Sequence, residues 1–221
     1  MDNNYIFQYW EAIQNGTVTV GKWIKTIYKI LVNGLKSGKW DFDEEKANKA
    51  INFIENFCHH SEGRNDLLKL ELWQKAIVSA IFGIMDKRTG YRQFREVFIV
   101  VARKNGKTLF AAAIAAYMAY IDGEYGAKVY FLAPKLDQAD LVYDAFYQIV
   151  QADDELDSIT KKRRSDIYIK EFNTSVKKIA FNSKKSDGFN PQMVVNDEME
   201  AWQGDQGLKQ YEVMTCLLYT S

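Results

Sequence analysis

Residues 97–120 read VFIVVARKNGKTLFAAAIAAYMAY, and their reading decides the fold. Residues 97–101 are a short, apolar, β-branched run, which predicts a strand buried on both faces. Residues 109–120 are almost wholly apolar and rich in Ala, which predicts a helix packed on more than one side. Between them, Gly106-Lys107-Thr108 closes a tight turn. A strand, a Gly-Lys-Thr turn and a helix N-terminus form a phosphate-binding layout. Backbone N–H groups and the helix dipole face the anion, Lys adds a positive charge, and the Thr hydroxyl can hold Mg²⁺. The common pattern GxxxxGK[ST] would put a first Gly where this chain has Val101, so only its second half is present. The bland reading of the same residues is an ordinary strand–turn–helix with a solvated Lys.

Outward from that stretch, strands and helices alternate. Residues 128–133 (KVYFLA) predict a strand ended by Pro134, and residues 135–151 a helix. Residues 166–170 and 175–182 predict a hairpin joined near Asn173-Thr174. Residues 192–196 (QMVVN) predict another strand, ending in Asp197-Glu198. The alternation implies an α/β domain with a mostly parallel sheet. Upstream, residues 71–85 predict an amphipathic helix with Trp73, Ile77, Ala80 or Ile81, and Ile84 on one side. A polar linker, residues 86–95, follows it. Residues 5–14 and 20–35 predict helices, and Asp43 can cap a third through Phe57. The Tyr and Trp residues of this leader are read as core. Cys58-His59-His60 resembles metal ligands superficially, but no second Cys/His cluster accompanies it. The polar stretch 61–66 (SEGRND) is a plausible boundary. A helical segment is expected at 1–62 and a nucleotide-binding domain at 63–221.

The composition fits that plan. With 47% hydrophobic and 26% charged residues among 221, the chain is globular. Residues 109–121 are too short to span a membrane. Two distant cysteines, Cys58 and Cys216, predict a reducing compartment. Lys+Arg and Asp+Glu are both 29, so net charge does not select nucleic acid as a partner. The distribution is less even. Residues 161–188 hold nine Lys/Arg against three acids, a segment that could follow a phosphate backbone or be a solvated surface.

Hydrolysis needs more than a phosphate turn. Mg²⁺ must be held against the phosphates and a water oriented for in-line attack. Asp197 at a strand end can serve the metal, and Glu198 beside it can be the general base. Each could instead be a cap or a surface residue. Arg103 and Lys104 crowd the turn with positive charge. Arg103 could contact the γ-phosphate or pair with a nearby carboxylate. Gln74 can make paired hydrogen bonds to an adenine edge, or be solvated on its helix.

With those pieces in order, the chain resembles the N-terminal ATPase region of the tailed-phage terminase large subunit, a DNA-packaging motor. The resemblance rests on LELWQKAIVSAIFG (70–83) and FREVFIVVARKNGKT (94–108). It continues through VYFLAPKLDQADLVYDAF (129–146) and SDGFNPQMVVNDEMEAW (186–202). The leader FDEEKANKAINFIENFCHHSEG (42–63) also looks like that family. ARKNGKT is then a complete motif of a different kind, because the family commonly has ARKNGK[ST]. The resemblance implies a P-loop fold of the RecA-like class after a helical leader, with ATP and Mg²⁺ as cofactors. Lys104, Asn105, Gly106, Lys107 and Thr108 would cradle phosphate, with Thr108 and Asp197 on the metal. Glu198 would activate water, Arg103 would touch the nucleotide, and Gln74 would hold adenine. Implied partners are double-stranded DNA, a portal protein, a small terminase subunit and further copies in a ring, in the host-cell cytoplasm and with no membrane. The family's coupling motif and nuclease domain are not expected in this chain, and residues 216–221 (CLLYTS) continue none of its patterns. Two other classes compete: a helicase-like translocase, since APKLDQAD resembles a helicase DNA-contact motif, and a nucleotide-binding remnant without turnover.

Overall fold

The structure is a computed structural model describing residues 4–60, 63–102, 104–133, 136–180, 191–197 and 212, apart from the side chains at 137, 138 and 180. Packing divides the chain into two compact units: Met1–Asn56 with Leu68–Val100, and Phe57–Leu67 with Val101–Ser221. That division does not fall at residue 62. The helix after the polar stretch packs on the first helix of the leader, so it counts with the leader.

The first unit is helical. α1 (Tyr5–Gln14) starts at Asn4, whose side chain accepts from the amides of Ile6 and Phe7. α2 (Lys22–Lys36) follows, then α3 (Glu44–Phe57). Asp43 Oδ1 accepts from the Lys46 amide at 3.0 Å, the cap expected from the sequence. Ile6, Tyr9, Ile13, Tyr28, Leu31, Val32 and Trp40 form the core, with Ala76 and Ile84. Tyr9 and Tyr28 meet edge to face, 4.7 Å between ring centroids. Burial pushes the Tyr28 hydroxyl well above its ordinary pKa, so it stays neutral. One leader aromatic breaks the core expectation: Trp23 is 70% exposed, and Ile24, Ile27 and Ile30 of the same helix are also exposed. Tyr28, Leu31 and Val32 already fill the buried face of α2, which leaves Trp23 outside.

α4 (Leu72–Gly83) ends earlier than the periodicity predicts, and Ile84–Met85 instead pair antiparallel with Asp41–Phe42 as strands β2 and β1. The chain turns extended at Ile84 (φ −83°, ψ 119°) to make that pairing, and the last helical residue, Gly83, lies tight against its neighbours. A Cβ there would stand 2.6 Å from Phe42 Cε2 and 3.0 Å from Ala47 Cβ, so only Gly admits the approach of β1 and α3. The buried residues of α4 are Gln74, Ala76, Val78, Ser79, Phe82 and Gly83. Of the expected face, Trp73, Ile77, Ala80 and Ile81 are only half-buried, while Ile84, just past the helix end, is buried. Apolar residues surround the helix, so periodicity does not select the deepest side.

Residues 97–101 correct a second expectation. They form no strand, and Val97, Phe98, Ile99 and Val100 are 45%, 65%, 38% and 95% exposed. A β-branched run fits a pleated surface, but the strand exists only where another backbone pairs with it. No described residue supplies that ladder.

The second unit carries the sheet. α5 (Lys107–Tyr120) is buried at Phe110 and at every residue from 112 to 120, as its composition predicts. It leads into β3 (Lys128–Ala133) and α6 (Leu136–Ala152). Phe131 of β3 meets Tyr143 and Phe146 of α6, and Tyr120 of α5 stacks on Phe146. Then come α7 (Asp154–Ile159), β4 (Thr160–Lys162), β5 (Ile167–Ile169), β6 (Thr174–Ala180) and β7 (Met193–Asn196). The sheet order is β4-β5-β6-β3-β7, with β3 parallel to β6 and to β7 and the β4–β5–β6 arm antiparallel. The hairpin predicted near Asn173 is β5–β6, with Asn173 left-handed at φ 53°. α7 and β4 escape the sequence reading. α7 is six residues held by the Asp153 cap and one buried Leu156, and β4 is a polar TKK that exists by pairing with β5.

Candidate active site

The turn before α5 is built by two left-handed residues. Lys104 has φ 66° and Gly106, the N-cap, has φ 68°. A Cβ on Gly106 would meet nothing within 4 Å, so the glycine serves its backbone angle and not a close contact. Lys104 adopts that angle without being glycine, at a cost of about 1–2 kcal/mol. Asn105 Nδ2 donates to the Ala102 carbonyl at 3.0 Å and braces the turn across its base. Phe110 N donates to Gly106 O at 2.9 Å, which starts the helical ladder. The earlier amides of α5 have no acceptor within the helix, and its first turn carries no acidic side chain. The positive end of the helix dipole therefore meets no side-chain anion from its own first turn.

β7 brings the second half. It pairs with β3 from Val129↔Met193 to Leu132↔Asn196, and the Asp197 amide continues the ladder by donating to Leu132 O at 3.2 Å. Asp197 thus stands at the C-terminal end of a strand within a parallel pair, where open α/β sheets bind ligands. Its Oδ1 lies 3.3 Å from Lys107 Nζ, joining residues 90 apart in the chain. The Lys107 side chain is 40% exposed and that of Asp197 16%, so the pair contributes under about 1 kcal/mol to stability. The sequence reading missed one neighbour. Asn196 Oδ1 is buried and accepts no hydrogen bond among the described residues. A polar residue closing the apolar run MVVN was the available signal.

The family model of the terminase large subunit ATPase domain matches residues 72–216. That is about two thirds of the chain, and it includes the turn, α5 and Asp197. This chain belongs to that family. Among solved structures, the large terminase of bacteriophage HK97 superposes with a TM-score of 0.66 at 22% identity, over 80% of this chain and 36% of that one. The present chain therefore spans about a third of that terminase. No curated protein matches it.

The Gly106-Lys107-Thr108 turn and the Asp197 strand end lie in one unit of this chain. Two other expected residues, Arg103 and Glu198, lie outside the described residues. Gln74 belongs to the helical unit. It is buried, and its Oε1 accepts from the Glu71 amide at 2.9 Å in a capping box that starts α4. That bond uses the carbonyl side of the amide and fixes the side-chain orientation. For a metal, Thr108 and Asp197 offer a hydroxyl and a carboxylate, both hard oxygen ligands. No group of three or more His, Cys, Asp or Glu fit to hold a metal occurs among the described residues. Mg²⁺ suits this set, because it is commonly held by one or two protein oxygens together with phosphate and water.

The Cys58-His59-His60 trio is used otherwise. His59 Nδ1 contacts the Asn65 carbonyl at 3.0 Å, and His60 Nε2 contacts Arg64 Nη2 at 2.5 Å. Cys58 is buried, and burial with the nearby Asp153 carboxylate pushes its thiol well above the ordinary range. No helix among the described residues is long and apolar enough to cross a membrane.

Proposed function

We propose that this chain is the ATP-hydrolysing engine of a double-stranded DNA packaging motor. One observation carries the reading: Lys107 and Asp197, 90 residues apart, stand 3.3 Å from each other at the head of α5 and the end of β7. A cation and a carboxylate so placed match the two halves of a metal-bound polyphosphate. Lys107 and the backbone of Lys104, Asn105 and Gly106 receive the phosphates. Thr108 and Asp197 hold Mg²⁺, which when bound neutralises charge on the phosphates. Glu198 takes the proton of the attacking water, Arg103 contacts the γ-phosphate, and Gln74 meets the adenine edge. The functional ATPase domain runs from 63 to 221, with 1–62 as its helical leader; the family match over 72–216 supports that start. Other copies form a ring on the portal protein, a small terminase subunit presents the DNA, and the work is done in the host-cell cytoplasm.

Two substitutions test the reading. Lys107→Ala lowers nucleotide affinity about tenfold to hundredfold, as loss of a charge-assisted contact does. Glu198→Gln keeps nucleotide binding and slows hydrolysis by about 10²–10⁴-fold. Titration with a fluorescent nucleotide and a phosphate-release assay read the two. Unchanged turnover in Glu198→Gln removes Glu198 as the base.

A further inference from the structure

We propose that the sheet face of β4–β5–β6 opposite α5 and α6 is the track on which duplex DNA rests, its phosphates held by Lys161, Arg163 and Lys177. The assignment rests on the packaging-motor reading and adds where on this chain the DNA lies.

The register separates two faces. Cross-strand partners share a face, and alternate residues along a strand return to it. Thr160, Lys162, Ile167, Ile169, Val176 and Lys178 make one face. It is the helix side: the Thr160 hydroxyl meets Tyr120 of α5, Lys162 lies over Tyr147 of α6, and Lys178 pairs with Asp140 of α6. The opposite face presents Lys161, Tyr168 and Ser175 as one rung, with Lys177 one step along β6. Arg163 follows β4 and joins this face, because its guanidinium lies 3.4 Å from the centre of the Tyr168 ring. That stacking, and Asp166 at 3.8 Å, hold the guanidinium in place while 42% of the side chain stays exposed.

The charges on the two faces are treated differently. On the helix side Lys178 has a carboxylate partner. Among the described residues neither Lys161 nor Lys177 has one, and Asp166 beside Arg163 is buried. The exposed acids Asp154, Glu155 and Asp157 sit on α7, ahead of β4, and bound the basic ribbon at that end. Two strand spacings, about 10 Å, separate β4 from β6. A row of cations that wide, along a sheet face, suits a polymer with regularly repeated charge better than a single small anion. Tyr168 gives the arginine a rigid platform, and no base-reading group is required for a protein that must move along any sequence.

The test is duplex binding by the full chain, followed by fluorescence anisotropy across a salt series. Replacing Lys161, Arg163 and Lys177 with Gln should weaken binding at least tenfold near 0.1 M salt and reduce the salt slope by about 2.7, or 0.9 per cation. The double variant Lys161→Gln, Lys177→Gln leaves the Arg163–Asp166 pair intact and should lower the slope by about 1.8. Lys161→Arg with Lys177→Arg should bind as the unaltered chain does. A control with Lys22, Lys25 and Lys29 of α2 changed to Gln makes the same change in charge and should leave affinity within twofold. The assignment is overturned if the ribbon variants bind like the unaltered chain, or if the α2 control loses as much; the motor reading survives either result. If the unaltered chain has no affinity for duplex DNA at low salt, the motor reading itself fails, and the track with it.

Discussion

Residues 97–101 (VFIVV) and β7 (Met193–Asn196, MVVN) carry the same kind of sequence and end in different structure. The first run is the more apolar and the more β-branched. Yet it is exposed and irregular, while β7 lies in register against β3 and is half-buried throughout. The difference is a partner. β3 offers β7 a backbone edge from Val129 to Leu132, and the ladder runs on to Asp197. No described residue offers an edge to 97–101. Apolar content measures what a segment would gain by burial. Whether it is buried as a strand depends on another strand being there to satisfy its backbone.

That contrast can be broken by substitution. The largest effect is expected at the partner: Phe131→Ala in β3 removes a ring packed on Tyr143 and Phe146 and should cost about 3–5 kcal/mol in urea denaturation. Val195→Ala in β7 removes two partly buried carbons and should cost about 1 kcal/mol. Val100→Ala, at a side chain 95% exposed, should stay within about 0.5 kcal/mol of the unaltered chain. Amide exchange sharpens the ordering, with fast exchange at 97–101 and protection at the Asp197 amide. A Val100→Ala cost comparable to that of Val195→Ala would mean that 97–101 is paired in solution, and the contrast would fail.

The legible parts of the molecule share a physical property: their signals are local. The α1, α2 and α3 helices appear within two residues of their expected ends, because helical periodicity and capping, as by Asp43, act over a few residues. The turn before α5 was legible for the same reason, since Gly106 must supply a left-handed angle there. The misreadings depend on distant residues. α4 ends where Ile84–Met85 pair with Asp41–Phe42, about forty residues earlier in the chain, and nothing near residue 84 in the sequence announces that partner. β4 is a polar TKK that becomes a strand only beside β5.

The sequence by itself determined the succession α5, β3, α6 and the strand before Asp197, the turn at Lys104–Thr108 and the family, because those are carried by residue type and short spacing. Tertiary structure alone decided that Lys107 meets Asp197 across 90 residues. It also set Lys161, Arg163 and Lys177 on one side of the sheet and Lys162 and Lys178 on the other. Register is the physical reason. A shift of one residue turns every side chain of a strand to the opposite face, and register is fixed by the neighbouring strand and by the core it closes.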